Sequence, residues 1–105
     1  MDVHAPANLR DTADGGVQES ADLADRWHGV GRLEYAITPR FAATSSRRQL
    51  DAAGALARAR PDLPIQSHVA ENVDEVRWIA ELFPQARSYL DVYDRFGLLR
   101  ERAVY

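Results

Sequence analysis

No cysteine occurs among the 105 residues, so disulfides and thiolate metal sites are both excluded. No apolar run approaches the roughly 20 residues that a membrane-spanning helix requires. Met1-Asp2-Val3-His4-Ala5-Pro6 also lacks the apolar stretch of a signal peptide. Clustered positive charge is missing too. The formal net charge is −3, and the densest basic spot, Ser46-Arg47-Arg48, falls where a helix is expected to begin. The expectation is therefore no nucleic-acid partner and no membrane partner, with a cytoplasmic location as the default. What remains is ordinary. Hydrophobic residues make up 46% and charged residues 28% of the chain, the proportions of a globular protein rather than a disordered one. At this length one domain with a modest core is expected.

Residues 1–16 show no periodicity and read as an irregular lead-in that ends in the turn Asp14-Gly15-Gly16. From Val17 the apolar spacing becomes helical, with Val17, Ala21, Ala24 and Trp27 on one stripe, and Gly29 and Gly31 stop it. Leu33 to Thr38 alternates as a strand, closed by Pro39, which has no N–H for a ladder. Ser46 and Gln49 have capping-box spacing for a second helix that buries Leu50, Ala53, Leu56 and Ala57 and ends at Pro61. Ile65 to Val69 is the next strand. Asn72 with Glu75 caps a third helix, whose predicted buried stripe is Val73, Val76, Ile79, Ala80 and Phe83. A fourth helix runs from Tyr89 to Phe96 between Ser88 as cap and Gly97 as left-handed stop, and Arg102 to Tyr105 opens a further strand. Strands alternating with helices over 17–105 predict an α/β fold of βα units with parallel strands. The strands are too few to bury both faces of such a sheet, so the chain is expected to be an arc of something larger.

Three places along this pattern carry chemistry-bearing residues. His68 ends a predicted strand and Glu71 follows in the loop. A histidine there can offer a ring nitrogen to a metal, and a carboxylate three residues on can reach a metal-bound water as general base and acid. Read alone, His-x-x-Glu better fits a surface histidine beside a solvated glutamate. Arg40-Phe41 follows the earlier strand. A guanidinium fork with an aromatic ring suits a planar heterocycle, the one donating hydrogen bonds and the other stacking. A loop arginine beside a core phenylalanine is the plainer alternative. Asp91-Val92-Tyr93-Asp94 lies on a helix, and its valine and tyrosine belong to the packing stripe, so it reads as structural. His4 and His28 have no partner at a metal-binding interval.

Taken together, the segments resemble the guanine deaminases, a branch of the amidohydrolase superfamily of metal-dependent TIM barrels. The resemblance runs through Arg26-Trp27-His28-Gly29, Tyr35-Ala36-Ile37-Thr38-Pro39-Arg40-Phe41-Ala42 and Ser67-His68-Val69-Ala70-Glu71-Asn72. It continues in Leu82-Phe83-Pro84 and Tyr89-Leu90-Asp91-Val92-Tyr93-Asp94. The resemblance implies a partial TIM-barrel arc, an incomplete barrel, cut as an internal fragment. It implies zinc as cofactor with His68 as a ligand, Glu71 as the catalytic proton shuttle, and Arg40 and Phe41 in the guanine pocket. The implied reaction is hydrolysis of guanine to xanthine and ammonia, with guanine as the small-molecule partner and a parent that can pair as a homodimer. The family's His-x-His pair would precede Met1, and its later histidine and aspartate would follow Tyr105. The 105 residues are thus expected neither to hold zinc tightly nor to deaminate guanine alone. Two other readings stand beside this one: a fragment of an amidohydrolase acting on another aminoheterocycle, and a non-catalytic remnant.

Overall fold

The computed structural model describes every residue, Met1–Tyr105. After a turn of 3-10 helix at Ala7–Leu9, the order is α1 (Ala13–Trp27), a 3-10 turn (Ala42–Thr44), α2 (Arg47–Ala59), β1 (Ile65–Gln66), α3 (Val73–Leu82), α4 (Tyr89–Arg95) and β2 (Ala103–Val104). Strands β1 and β2 pair in parallel, Ile65 opposite Ala103 and Gln66 opposite Val104. On the other side of β1 a single parallel bridge joins Ile37 to Ile65. Ile37 donates to the Pro64 carbonyl at 2.9 Å and accepts from the Gln66 N–H at 3.0 Å. Each parallel step is bridged by helix, α2 on one side and α3 with α4 on the other, because parallel neighbours need a long crossover. The expected α/β arc of parallel βα units is present.

Each helix starts on a side-chain cap. Thr12 accepts from the Gly15 N–H, Ser46 from Gln49, Asn72 from Glu75 and Ser88 from Asp91. Such caps satisfy a donor the helix cannot pair internally, worth about 1 kcal/mol each. The Thr12 cap also explains why α1 begins at Ala13, inside the stretch expected to be an irregular lead-in. With Asp14 in the positive first turn, Gly15 and Gly16 are carried as helix rather than as a turn. The two predicted capping boxes close by only half. The Gln49 amide reaches Asp11 at 3.2 Å instead of Ser46, whose N–H goes to Asp2 at 2.7 Å. The Glu75 carboxylate takes the Glu71 N–H rather than that of Asn72.

One cluster of buried residues forms the core, with Leu50, Leu63, Ile65, Ile79, Val92, Tyr93 and Leu98 its largest fully enclosed members. Each buried aliphatic side chain of this size contributes about 1.5–3 kcal/mol. Helix α1 packs along α2, and α3 packs on the 3-10 turn and α4. Gly54 lets α2 approach the end of α4, since a Cβ there would stand 1.9 Å from the Phe96 carbonyl oxygen. Gly97 closes α4 at a φ of 71°, in the left-handed region that costs other residues energy.

Three further expectations differ from the structure. Leu33 to Thr38 forms no ladder beyond Ile37, and Leu33 is 52% exposed, because within the chain no strand lies on the outer side of this segment. Trp27 is 40% exposed and carries the Arg26 guanidinium over its ring at 4.9 Å. On α3 the buried face is Glu75, Ile79 and Phe83 with Trp78 and Leu82 beside them, while Val73 (65% exposed), Val76 and Ala80 face outward. The contacts of α3 with the 3-10 turn and α4, not its apolar content, set its rotation. No helix is long and apolar enough to cross a membrane.

Candidate functional site

The two paired positions at Ile37 and β1 deliver two loops to the same edge of the sheet. The first, Thr38 to Phe41, leads into the buried 3-10 turn, whose Thr44 N–H and Ser45 hydroxyl both return to the Phe41 carbonyl at 3.2 Å. The second, Ser67 to Asn72, leads into the cap of α3. Ser67 ties the loops together, its hydroxyl donating to the Pro39 carbonyl at 2.7 Å.

Below them stands Tyr93, fully buried on α4. Its hydroxyl accepts the Ala42 N–H at 3.1 Å, donates to the His68 carbonyl at 3.2 Å and lies 3.1 Å from the Ser67 hydroxyl. One phenol thus fixes the backbone of both loops. Its ring stacks on Tyr89 at 5.9 Å and meets Tyr105 at a tilt at 4.8 Å. Burial raises the pKa of Tyr93, which keeps the hydroxyl protonated and able to donate. Asp91, on the same helix, receives hydrogen bonds from the Arg87 backbone N–H (2.9 Å) and side chain (2.8 Å), and from Arg95 (2.7 Å). Those bonds, Arg87 foremost, hold its carboxyl well below the usual aspartate range. The Asp91–Asp94 motif therefore serves packing and support.

Arg40, Phe41 and Glu71 line one open cleft of about 410 Å³, together with Asn72, Asp74, Glu75 and Trp78. The Arg40 guanidinium lies 5.2 Å from the centre of the Phe41 ring and 3.5 Å from the Glu71 carboxylate. The Phe41 ring meets the Trp78 indole edge-on at 6.5 Å, and the His4 ring approaches the same indole at 5.6 Å. The cleft thus offers aromatic faces, a guanidinium donor and a carboxylate acceptor side by side, a set suited to a flat, partly polar ring. Such a ring can stack on Phe41 or Trp78 while Arg40 donates to its oxygens and Glu71 accepts from its nitrogens.

Ala70 holds the second loop in its bend at a φ of 55°. For a residue with a Cβ this left-handed state costs roughly 1–2 kcal/mol, and strain of this kind gathers at functional loops.

Of the four residues singled out from the sequence, the cleft gathers three; His68 is exposed and does not line it. No group of three or more His, Cys, Asp or Glu side chains comes together to hold a metal ion. A catalytic zinc needs about three protein ligands, so the residues of this chain do not by themselves fit one. Sequence reasoning missed Trp78, Asp74 and Glu75. The available signal was their spacing: Asp74 and Glu75 stand four and three residues before Trp78, on one face of α3. His28 has a structural task, its ring nitrogen accepting the Tyr35 N–H at 3.1 Å.

Residues 6–105 match the Amidohydrolase family. The guanine deaminase of Escherichia coli is 46% identical over 105 residues, covering all of this chain and 24% of that enzyme. The solved E. coli guanine deaminase superposes with a TM-score of 0.95 over 98% of this chain and 24% of its own. The crystal structure of guanine deaminase from C. acetobutylicum, with guanine bound in its active site, is 29% identical. It gives a TM-score of 0.90 over 96% of this chain and 24% of that one. The chain spans about a quarter of the length of these relatives.

Proposed function

The chain belongs to the amidohydrolase family, and from that premise we propose that it is part of a guanine deaminase. It would form one arc of a TIM barrel that hydrolyses guanine to xanthine and ammonia. One observation carries this reading. Arg40, Phe41 and Glu71 line a single cleft in a chain that superposes at a TM-score of 0.90 on a guanine deaminase holding guanine.

The roles follow from the side chains. Phe41 stacks on the purine ring. Arg40 donates to the oxygen or a ring nitrogen and sets the ring's orientation. Glu71, within 3.5 Å of Arg40, takes a proton from the attacking water. It passes that proton to the ring nitrogen, then takes the second proton from the hydroxyl of the tetrahedral adduct and gives it to the amine, so that the carbonyl forms, the carbon–nitrogen bond breaks and ammonia leaves. Such positioned proton transfer contributes roughly 10²–10⁴-fold. His68 we assign as one ligand of a zinc ion whose other ligands lie outside these 105 residues. The chain alone lacks that set, and the roles given to Arg40, Phe41 and Glu71 stand without it.

The test is a chimera in which these 105 residues replace the matching quarter of the E. coli guanine deaminase. Guanine consumption, followed by ultraviolet absorbance with xanthine identified by chromatography, is the expected result. A folded chimera that leaves guanine untouched, or prefers another aminoheterocycle, overturns the reading.

A further inference from the structure

We propose that Glu75 is a positioning residue that holds Glu71 in place, an inference that rests on the role given to Glu71 above. Glu75 sits in the first turn of α3 and is 9% exposed. Its Oε2 accepts the Glu71 backbone N–H at 3.1 Å, and its own N–H donates to the Asn72 Oδ1 at 2.9 Å. These two bonds close a ring around residues 71–75 immediately after the left-handed Ala70. The bend at Ala70 is unfavourable in itself, so a neighbouring constraint must keep it. The bond from Glu71 to Glu75 is that constraint.

Its donor also departs from the usual pattern. A carboxylate at this helical position ordinarily reaches back to the cap residue. Here it reaches one residue further, to the residue whose side chain faces Arg40 in the cleft. A helix cap alone would not require that. The second oxygen of Glu75, Oε1, is buried without a hydrogen bond, and so is the hydroxyl of Tyr89 on α4. Burial foremost, and then Glu75, raises the pKa of Tyr89, so its hydroxyl stays protonated. A buried carboxylate with one oxygen unpaired is costly.

Two variants test this in two settings. In the 105-residue chain, amide hydrogen exchange by NMR should show Glu71 protection falling roughly 10- to 100-fold in Glu75→Ala, with Ile65 and Gln66 unchanged. Glu75→Gln keeps the shape and an acceptor oxygen, so protection should persist while the Glu71 amide proton resonance moves as its acceptor changes from carboxyl to amide. An unmoved Glu71 resonance in Glu75→Gln overturns the proposal, even if the alanine variant unfolds. In the chimera, Glu75→Ala should lower kcat about 10-fold with KM unchanged, and Glu75→Gln should recover most of it. Full activity in Glu75→Ala, where Glu71→Gln is inactive, also overturns it. A chimera with no guanine turnover at all counts against the proposed reaction instead, and the Glu71 amide still decides the role of Glu75.

Discussion

The two loops that form the cleft are held by opposite means. Phe41 leads into Ala42 and Ala43, both essentially inaccessible to solvent, so the first loop is pressed onto the core. The second loop exposes His68, Ala70, Glu71 and Asn72 and depends on polar ties, a helix cap and one strained residue. Arg40 and Phe41 sit on the packed wall, and Glu71 sits on the polar one. A packed wall resists change in proportion to the area it buries. A polar one is as firm as a few directional bonds, and can be undone by a single atom.

Several substitutions would break or sharpen that contrast. The largest effect is expected at the anchor both loops share. Tyr93→Ala should lower unfolding free energy by about 3–5 kcal/mol, measured by urea denaturation, and should loosen both loops in hydrogen exchange. Loss of protection in the second loop alone would show that packing holds the first without the phenol. Next, in the chimera, Glu71→Gln should cut kcat by roughly 10²–10⁴-fold. Arg40→Ala should act mainly on KM, separating the roles proposed for the two walls; equal losses in kcat for both variants would erase that division.

A smaller effect is expected in acid. The folded Asp91 carboxyl titrates well below its ordinary range because Arg87 and Arg95 bond to it. The stability it contributes is complete above the unfolded aspartate value of about 3.9, and is lost as pH falls through the lower folded value. Wild-type protein should therefore lose denaturant resistance below about pH 4 more steeply than Asp91→Asn; parallel pH profiles would refute this support beneath Tyr93. The smallest effect is expected at Ala70. Glycine there relieves the left-handed strain but adds unfolded-chain freedom, so Ala70→Gly should change stability by about 1 kcal/mol or less, with a gain as the expected sign in thermal melts. A loss would mean that the Ala70 methyl packs usefully in the second loop.

Local signals fixed much of this protein in advance. Capping residues, proline stops and helical spacing placed three of the four helix starts, because each depends on neighbours within one turn. The order of strands and helices predicted parallel pairing, and Arg40, Phe41 and Glu71 were chosen from their places after strands. The start of α1 was missed because Gly15-Gly16 reads as a turn until the Thr12 cap is seen. Tertiary structure decided the rest. It turned α3 so that Glu75 and Trp78, rather than Val73 and Val76, face inward. It left Leu33 without a partner, and it set His68 outside the cleft that holds Glu71. Apolar periodicity says that a face will be buried, but the elements packed against it decide which face. A strand's alternation likewise becomes a ladder only where another strand lies alongside.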